Sequence, residues 1–262
     1  MKRFRTATAA LLSSCNGAPQ KRHLIFACTH LNTPFDPLQH RQSVASALTP
    51  VPPEAGQAAV LQLDAVSCSR GGRLLFSGLN QRLASGQLLR VLGANGAGKT
   101  SLLRMVCGLL EPESGQVLWR GKRLASQRAL LGSELVYVGH GAALKDELSP
   151  LENLLDACAL GGVTASAPDA LAALRQAGLR GHERTPARRL SQGQRRRCSL
   201  ARLALSHAAP LWVLDEPFNA LDTAAAAWLT GLIESHLARR GMVLLTSHQD
   251  IAINASAQVL TL

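Results

Sequence analysis

The feature that most constrains this chain is a glycine-rich loop between a predicted strand and a predicted helix. Residues 93–100 read Gly-Ala-Asn-Gly-Ala-Gly-Lys-Thr and match the pattern G-x-x-x-x-G-K-[ST]. Residues 87–92 before the loop are mostly apolar and strand-like, and residues 100–108 after it have helical spacing. Because the motif requires this strand, loop and helix context, the sequence predicts a phosphate-binding loop and not merely a flexible one.

Each residue type in this loop suits phosphate binding. Glycines allow the backbone to turn its N–H groups toward a phosphate at the start of a helix, where the helix dipole also favours an anion. Lys99 can reach the β- and γ-phosphates of a nucleotide, and the Thr100 hydroxyl is a candidate Mg²⁺ ligand. The candidate phosphate-binding residues are Gly93, Asn95, Gly96, Gly98, Lys99, Thr100 and Ser101.

Predicted strands and helices alternate along the rest of the chain. Further strands are predicted at 59–66, 73–76, 135–138, 211–214 and 242–246, and further helices at 151–160, 168–178, 191–207 and 223–239. Strands flanked by helices predict an α/β fold with a mostly parallel sheet. Residues from about 141 to 190 contain helices and no clear strand, which predicts a helical insertion.

Two adjacent carboxylates follow the apolar strand at 211–214. Asp215 is a candidate to hold Mg²⁺ through water, and Glu216 is a candidate to orient or deprotonate the water that attacks a γ-phosphate. An apolar strand that ends in two acids is a weak pattern alone, because it also describes an ordinary solvated strand end. Its position downstream of a phosphate-binding loop makes it a specific indication of nucleoside triphosphate hydrolysis.

A third element, Leu190-Ser191-Gln192-Gly193-Gln194, lies between the loop and the two acids and precedes a helix. A serine hydroxyl and a glycine N–H at a helix start form an anion site, although Ser191 also fits an ordinary helix cap. In this position the element resembles the signature of the ATP-binding cassette (ABC) ATPases. Ala220-Leu221-Asp222 is similar to the D-loop of that family, and His248 is similar to its switch histidine, which contacts the γ-phosphate.

The resemblance covers about residues 58–262 and has implications for fold, cofactors and assembly. It implies a P-loop NTPase fold of the ABC nucleotide-binding type over residues 57–262, with a RecA-like core, an antiparallel β subdomain and an α-helical subdomain at about 141–190. It implies ATP and Mg²⁺ as cofactors, with Glu216 and His248 as catalytic residues. It further implies that two copies stack head to tail, so that Ser191 and Gly193 of one copy contact ATP on the loop of the other.

The sequence departs from the family pattern at two positions. His140 stands where many ABC ATPases have a glutamine after the strand at 135–138, and an imidazole can still donate or accept a hydrogen bond. Arg70 stands near the place of the aromatic residue that usually stacks on adenine. Arg70 is either a planar guanidinium that stacks on the base or a solvated turn residue, and both interpretations stay open.

Several stretches resemble one subfamily, the ATP-binding subunits of the cytochrome c maturation haem exporter. The stretches are 72–79, 138–140, 145–154, 210–222 and 241–249, and His140 is characteristic of the subfamily, whereas Gly141 stands where relatives commonly have glutamine. The resemblance implies a peripheral protein at the cytoplasmic face of the bacterial inner membrane. Its implied partners are a second copy of itself, an integral-membrane permease subunit, and the haem-handling membrane protein and haem chaperone of the maturation system. The alternative within the same class is an ABC ATPase for another transported substrate.

The net charge of +11 raises nucleic acid or an anionic membrane surface as a partner. Aromatic residues make up 3% of the chain, which argues against stacked bases. Most of the excess is local, because residues 175–197 contain eight arginines and one acidic residue. That segment is either a solvated helix face or a surface that attracts a triphosphate or anionic lipid headgroups. We therefore expect no nucleic acid, and a soluble nucleic-acid-associated ABC ATPase is the alternative from another class.

Residues 1–56 differ in composition from the rest and show no sustained period of 3.6 or 2. Three interpretations are open: an organellar transit peptide, a secretory or lipoprotein signal, or a gene start placed too early, which we favour because the apolar stretch is short. We expect this extension to lie outside the folded domain. The sequence has no apolar run of the roughly 18–20 residues that a membrane-spanning helix needs.

Overall fold

The computed structural model describes residues 60–127, 132–248 and 252–262. The predicted extension at 1–56 lies outside the described residues. Among the helices within the described ranges, none combines the length and the apolar character that crossing a bilayer requires.

The first layer is an antiparallel sheet of four strands. Its strands are β1 (Leu61–Arg70), β2 (Arg73–Leu83), β4 (Ser114–Trp119) and β5 (Lys122–Arg123), in the order β2-β1-β4-β5. Gly71 and Gly72 both have positive φ and form the tight turn between β1 and β2, as predicted from the sequence. This turn brings Arg70 and Arg73 opposite each other at one end of the hairpin.

The second layer is a parallel sheet of five strands, which confirms the predicted α/β class. The strands are β3 (Leu88–Leu92), β6 (Leu135–Val138), β7 (Leu211–Leu214), β8 (Met242–Thr246) and β9 (Ala257–Thr261), in the order β6-β7-β8-β3-β9. All four neighbouring pairs are parallel. The carboxyl ends of β3, β7 and β8 therefore lie along one edge of the sheet, where ligands bind in open α/β folds.

Within the described residues, five α-helices with defined bounds pack around these sheets. They are α1 (Lys99–Val106), α2 (Pro150–Leu160), α3 (Ala167–Gln176), α4 (Gln192–Ala201) and α5 (Thr223–Ala238). Short 3₁₀ helices span Leu124–Gln127, Ala187–Arg189 and Arg202–Leu205. The predicted helical insertion at 141–190 contains α2 and α3 and no strand. Ser149 begins α2 with a capping box that includes Glu152, and Ser166 caps α3.

Three apolar clusters hold the layers together. One lies between the two sheets and around α1, and includes Trp119, Leu102 and Leu103. A second lies on the other face of the parallel sheet against α5, around Trp212. A third joins α2, α3 and α4. Helix α4 therefore contacts the helical insertion on one side and, through Leu200, the parallel sheet on the other.

The structure differs from the sequence prediction in several elements. Strands β4, β5 and β9 were not predicted, and β9 has exposed residues alternating with half-buried ones instead of a buried run. The single helix predicted at 191–207 ends at Ala201 and tightens into a 3₁₀ turn. Within that turn Leu203 is fully buried, and the hydroxyl of Ser206 donates to the carbonyl of Arg202. Burial of Leu203 and this local hydrogen bond favour the tighter turn over continued α-helix.

Candidate active site

A cleft of about 540 Å³ opens at the carboxyl ends of β3, β7 and β8. The cleft contains eleven of the fourteen predicted site residues. These are Arg70, Asn95, Gly96, Gly98, Lys99, Thr100, Ser101, His140, Asp215, Glu216 and His248. Gly93, Ser191 and Gly193 do not line it, whereas Leu75, Ala94 and Asn219, which were not predicted, do.

The backbone of the glycine-rich loop is shaped by close packing at its two ends. Gly98 has φ of 105°, and a Cβ there would lie 2.9 Å from the Phe76 ring. Gly93 at the base of the loop contacts the last residue, since a Cβ there would lie 2.9 Å from the Leu262 carbonyl oxygen. Gly98 is also the N-cap of α1 and offers no side chain to its first amides. The N-terminus of α1 is thereby left to bind an anion from the cleft.

Lys99 places a buried ammonium group at the centre of the loop. The residue is 8% exposed, and Nζ donates to the carbonyl oxygens of Gly93 at 2.8 Å and Ala94 at 3.3 Å. Nζ also lies 3.1 Å from Nε2 of His248. The ammonium is therefore held by the loop itself, beside the amides at the start of α1.

Asp215 connects β7 to the loop and to β8. Its Oδ2 accepts a hydrogen bond from the Thr100 hydroxyl at 2.9 Å, and its Oδ1 accepts one from the Thr246 hydroxyl at 2.9 Å. A buried carboxylate beside a hydroxyl is a hard oxygen pair of the kind that Mg²⁺ prefers. The described residues contain no group of three or more His, Cys, Asp or Glu side chains that could hold a metal. Thr100 and Asp215 thus fit an ion that keeps water or phosphate as its other ligands.

The negative charge of Asp215 also affects two side chains near α1. Burial and the Asp215 carboxylate raise the pKa of the Cys107 thiol to about 12. Burial is likewise the larger cause that raises the pKa of Tyr137, with Asp215 second. Both groups therefore stay neutral near pH 7, and neither supplies charge to the cleft.

Glu216 is buried and its backbone is strained. The residue is 8% exposed, and its φ of 49° lies in the left-handed region that residues other than glycine rarely adopt. Its amide donates to the Thr246 hydroxyl at 2.8 Å. Its Oε1 is buried without a hydrogen bond of good geometry, although Nε2 of His248 lies 3.2 Å away. A buried carboxylate oxygen with unused acceptor capacity at a cleft suits a water or a protonated ligand.

His140 and Arg70 are distant from each other in the sequence but line the same cleft. His140 follows β6 and is exposed, and Arg70 is exposed at the end of β1. Both residues therefore line the same cleft as the other predicted site residues.

Ser191 and Gly193 begin α4, away from the cleft of their own chain. Ser191 forms a capping box with Gln194, whose amide donates to the serine hydroxyl at 3.2 Å. Gly193 packs against the segment 220–222, since a Cβ there would lie 2.8 Å from the carbonyl oxygen of Ala220. Arg197 approaches Asp222 at 3.6 Å. The signature-like element and the D-loop-like element thus lie side by side.

Two residues near the cleft were missed by the sequence analysis. Thr246, fully buried at the end of β8, binds both Asp215 and Glu216. Arg196, 5% exposed, donates from α4 to the carbonyl oxygens of Asp215 and Glu216. Thr246 directly precedes Ser247 and His248, so its place at a strand end was a usable signal. Arg196 stands among three consecutive arginines, and nothing in the sequence distinguishes it from its neighbours.

Most of the arginines in residues 175–197 form ion pairs or hydrogen bonds with other groups of the chain. Four of them have carboxylate partners: Arg175 with Glu183, Arg188 with Glu147, Arg195 with Asp146 and Arg197 with Asp222. Arg196 is buried. The positive charge that stands out in the sequence is therefore partly balanced by acids from other segments.

Comparison with known proteins agrees with this geometry. The profile of the ABC transporter family matches residues 76–219. The chain is 51% identical to the cytochrome c biogenesis ATP-binding export protein CcmA of Dechloromonas aromatica, over 75% of this chain and 96% of that one. The chain belongs to the ABC transporter ATP-binding family. This ABC protein is also 51% identical to the CcmA of Methylococcus capsulatus, over 78% of its own length and 98% of the relative. The family resemblance drawn from the sequence is confirmed.

Solved structures show the same fold. An ABC transporter ATP-binding protein from Pyrococcus furiosus has a TM-score of 0.66 at 22% identity, covering 76% of this ABC protein and 96% of that chain. The ATP-binding cassette MJ0796, in a dimeric post-hydrolysis state bound to ADP and Pi, has a TM-score of 0.63 at 21% identity, covering 72% and 88%. The predicted ABC-type P-loop fold is confirmed.

Proposed function

We propose that this ABC protein hydrolyses ATP in the cleft and that the hydrolysis drives the export step of cytochrome c biogenesis. The observation that carries the first part is the meeting of Lys99, the Thr100–Asp215 pair and Glu216 at one edge of the parallel sheet. The second part is supported by relatives of about half-identical sequence that bear that function in their name.

Binding of the triphosphate uses the loop and α1. The ammonium of Lys99 exchanges its contacts with the Gly93 and Ala94 carbonyls for contacts with the β- and γ-phosphates. The free amides at the start of α1 add hydrogen bonds and a favourable dipole. Thr100 and Asp215 would hold Mg²⁺, which when bound neutralises phosphate charge.

Hydrolysis uses Glu216 and His248. The unbonded Oε1 of Glu216 accepts a hydrogen bond from the attacking water and orients it. As the water oxygen bonds to the γ-phosphorus, the bond from that phosphorus to the β–γ bridging oxygen breaks, the carboxylate takes up the water proton, and ADP and phosphate leave. His248 contacts the γ-phosphate, because its Nε2 lies beside both Lys99 Nζ and Glu216 Oε1. His140 faces the same reacting region from the β6 side, and Arg70 borders the cleft where it can contact the nucleotide base.

Completion of the site uses a second copy of the chain. Ser191 and Gly193 lie outside the cleft of their own chain, and the start of α4 is an anion site that a phosphate from another copy can fill. A head-to-tail dimer would place these residues on ATP held by the partner. Closure on ATP and opening after hydrolysis is then the mechanical stroke.

We further propose that the dimer is peripheral, at the cytoplasmic face of the bacterial inner membrane, bound to an integral-membrane permease subunit. A haem-handling membrane protein and a haem chaperone complete the assembly. The proposal is supported by the function that the relatives' names state, and recovery of these proteins with the tagged chain from membranes is its direct check.

The test of the enzymatic proposal is a pair of variants in the full chain, purified with the membrane proteins that accompany it. Glu216→Gln is expected to bind ATP with unchanged affinity and to lower kcat roughly 10²- to 10⁴-fold. Lys99→Ala is expected to remove both binding and turnover. Glu234→Gln, on α5 away from the cleft, is the matched control. Full ATPase activity in Glu216→Gln would contradict the proposed role of that carboxylate.

The biological proposal has a separate test. Deletion of the gene is expected to abolish covalent haem attachment to c-type cytochromes while b-type cytochromes remain. Normal c-type cytochromes in the deletion strain, with ATPase activity intact in the purified protein, would instead indicate an ABC ATPase for another transported substrate.

A further inference from the structure

Arg196 is a buried cation bound to backbone carbonyls. Its Nη1 donates to the carbonyl oxygens of Gly139 at 2.7 Å and His140 at 3.4 Å. Its Nη2 donates to those of Asp215 at 2.8 Å and Glu216 at 2.9 Å. One guanidinium therefore ties the loop after β6 to the loop after β7, and it reaches both from α4.

Arg196 keeps a charged group buried, which costs free energy of desolvation. Burial lowers the pKa of the Arg196 guanidinium, and the Asp215 and Glu216 carboxylates oppose that effect. Its four hydrogen bonds within the described residues go to backbone carbonyl oxygens, and its Nε is buried without a partner there. A neutral side chain would fill the same space without the cost of desolvating a charge.

The position of the Glu216 carboxylate depends on the backbone that Arg196 holds. Glu216 is in the left-handed region, a conformation that persists only where surrounding contacts enforce it. Thr246 binds its amide and Arg196 binds its carbonyl oxygen, so both polar groups of the residue's backbone are fixed. The same guanidinium also binds the backbone carbonyl of His140, one of the two cleft residues that depart from the common family pattern.

We propose that Arg196 is a positioning residue that holds the Glu216 carboxylate in its reactive geometry and links it, together with the backbone of the His140 loop, to α4. This inference rests on the proposed role of Glu216 in hydrolysis. Because α4 begins at Ser191, a displacement of α4 against the parallel sheet would pull on the carbonyls of Glu216 and His140. Through these bonds, contact of the signature-like element with a partner copy would reach the hydrolytic carboxylate.

The primary test compares Arg196→Gln with Arg195→Gln in the full chain with its accompanying membrane proteins. The control is matched, because Arg195 is the neighbouring arginine on α4 but bonds Ala187 and Asp146 outside the cleft. Arg196→Gln is expected to lower kcat roughly 10- to 100-fold, as for misplacement of a reacting group, with KM for ATP within about twofold. Arg195→Gln is expected to leave both parameters near wild type. Equal losses in the two variants, or a raised KM with unchanged kcat, would overturn the proposal.

A second test separates action through Glu216 from a general loss of structure. In single-turnover hydrolysis, Arg196→Gln combined with Glu216→Gln is expected to be no slower than Glu216→Gln alone, because the carboxylate being positioned is already absent. A further loss in the double variant would overturn the proposal. Should Arg196→Gln fail to fold, Arg196→Lys replaces it in both tests, with the same outcomes decisive. Loss of hydrolysis in Arg196→Gln with none in Glu216→Gln would contradict the proposed hydrolytic role of Glu216, and with it the proposal that Arg196 acts by positioning that carboxylate.

Discussion

Nε2 of His248 lies 3.1 Å from Nζ of Lys99. A charged lysine can only donate, so in this contact the histidine nitrogen accepts and carries no proton. The contact of the same nitrogen with Glu216 Oε1 at 3.2 Å would need the opposite state, with Nε2 protonated. Only one of the two can be a hydrogen bond at a time, and a γ-phosphate would compete for both the lysine and the histidine.

His248→Ala is therefore expected to impair turnover more than binding. Without the imidazole, Lys99 keeps its contacts with the loop, while the γ-phosphate loses one polar contact in the reacting state. We expect kcat to fall roughly 10²-fold or more with a small change in KM, measured as steady-state ATPase activity. His182→Ala, exposed and outside the cleft, is the control. A His248→Ala variant with increased KM and normal kcat would assign the residue to ground-state binding.

Thr246→Val tests the buried hydroxyl that joins Asp215 to Glu216. Valine has nearly the same shape, but it leaves the Glu216 amide and Asp215 Oδ1 without their partner. We expect a loss of about 1–3 kcal/mol in the free energy of unfolding, measured by urea denaturation, together with lower kcat. Thr261→Val, at an exposed position of β9, should be near neutral in both measurements. Equal changes in unfolding free energy and in kcat for the two variants would show that the Thr246 hydroxyl does not join Asp215 to Glu216 in a way that matters for stability or turnover.

Gly98→Ala and Gly231→Ala are the same change at two sites, and we expect them to alter the stability of the protein in opposite directions. At Gly98 the positive φ and the Phe76 ring both oppose a Cβ, so we expect loss of about 1 kcal/mol or more and loss of ATP binding. Gly231 lies within α5, and a Cβ there meets nothing within 4 Å, so alanine should stabilise by up to about 1 kcal/mol. Thermal unfolding checks both signs. A Gly98→Ala protein that binds ATP normally would contradict the described loop geometry.

His236 predicts a loss of stability in mild acid. Its ring stacks on Trp212 with centroids 3.8 Å apart, and the residue is 2% exposed. Burial, and secondarily Arg239, lower the pKa of His236 from 6.5 to about 4. Because the folded state binds the proton more weakly, the stabilisation is complete above about pH 6.5 and is lost as pH falls toward 4. The loss amounts to up to about 3 kcal/mol.

The measurement is urea unfolding of wild type and His236→Phe across pH 4–7. Phenylalanine keeps a ring against Trp212 and removes the titrating group, so the variant is expected to show a shallower pH dependence over this window. The two proteins are compared by the slope of unfolding free energy against pH. Their absolute stabilities are not compared, because a larger ring in a tight site lowers stability at every pH. Equal slopes in the two proteins would show that His236 does not control acid sensitivity.

The sequence predicted the site where its residues are contiguous or end a strand. The loop at 93–100, the acidic pair and His248 each follow an apolar strand, and parallel strands end at the same edge. Arg70 and His140 were placed by their order relative to these motifs. The contacts of Arg196 could not be predicted, because its carbonyl partners come from backbone segments distant in sequence and leave no side-chain pattern.

The fold was predictable in its buried parts. Strands β7 and β8 are buried along their whole length, which requires a mostly apolar run, and β3 and β6 are mostly apolar with partly buried positions. Strand β9 has no such run, because it lies at the sheet edge and is half exposed, so only pairing with β3 reveals it. The basic segment 175–197 indicated a charged surface, and its acidic partners at 146, 147 and 222 are invisible in a local charge count.

The bonds of Arg196 determine where a hybrid of two ABC proteins can be joined. All four carbonyls belong to residues outside the helical insertion, at Gly139, His140, Asp215 and Glu216. A graft that replaces 141–190 and stops before Ser191 would keep the guanidinium with its original strands. A graft extended through α4 would replace Arg196 by the donor protein's residue at that position, which is suited to the donor's own loops. The junction of such a hybrid is therefore best placed just before α4. The grafted insertion must then pack against Cys198 and Ala201, which are buried on the side of α4 that faces the insertion.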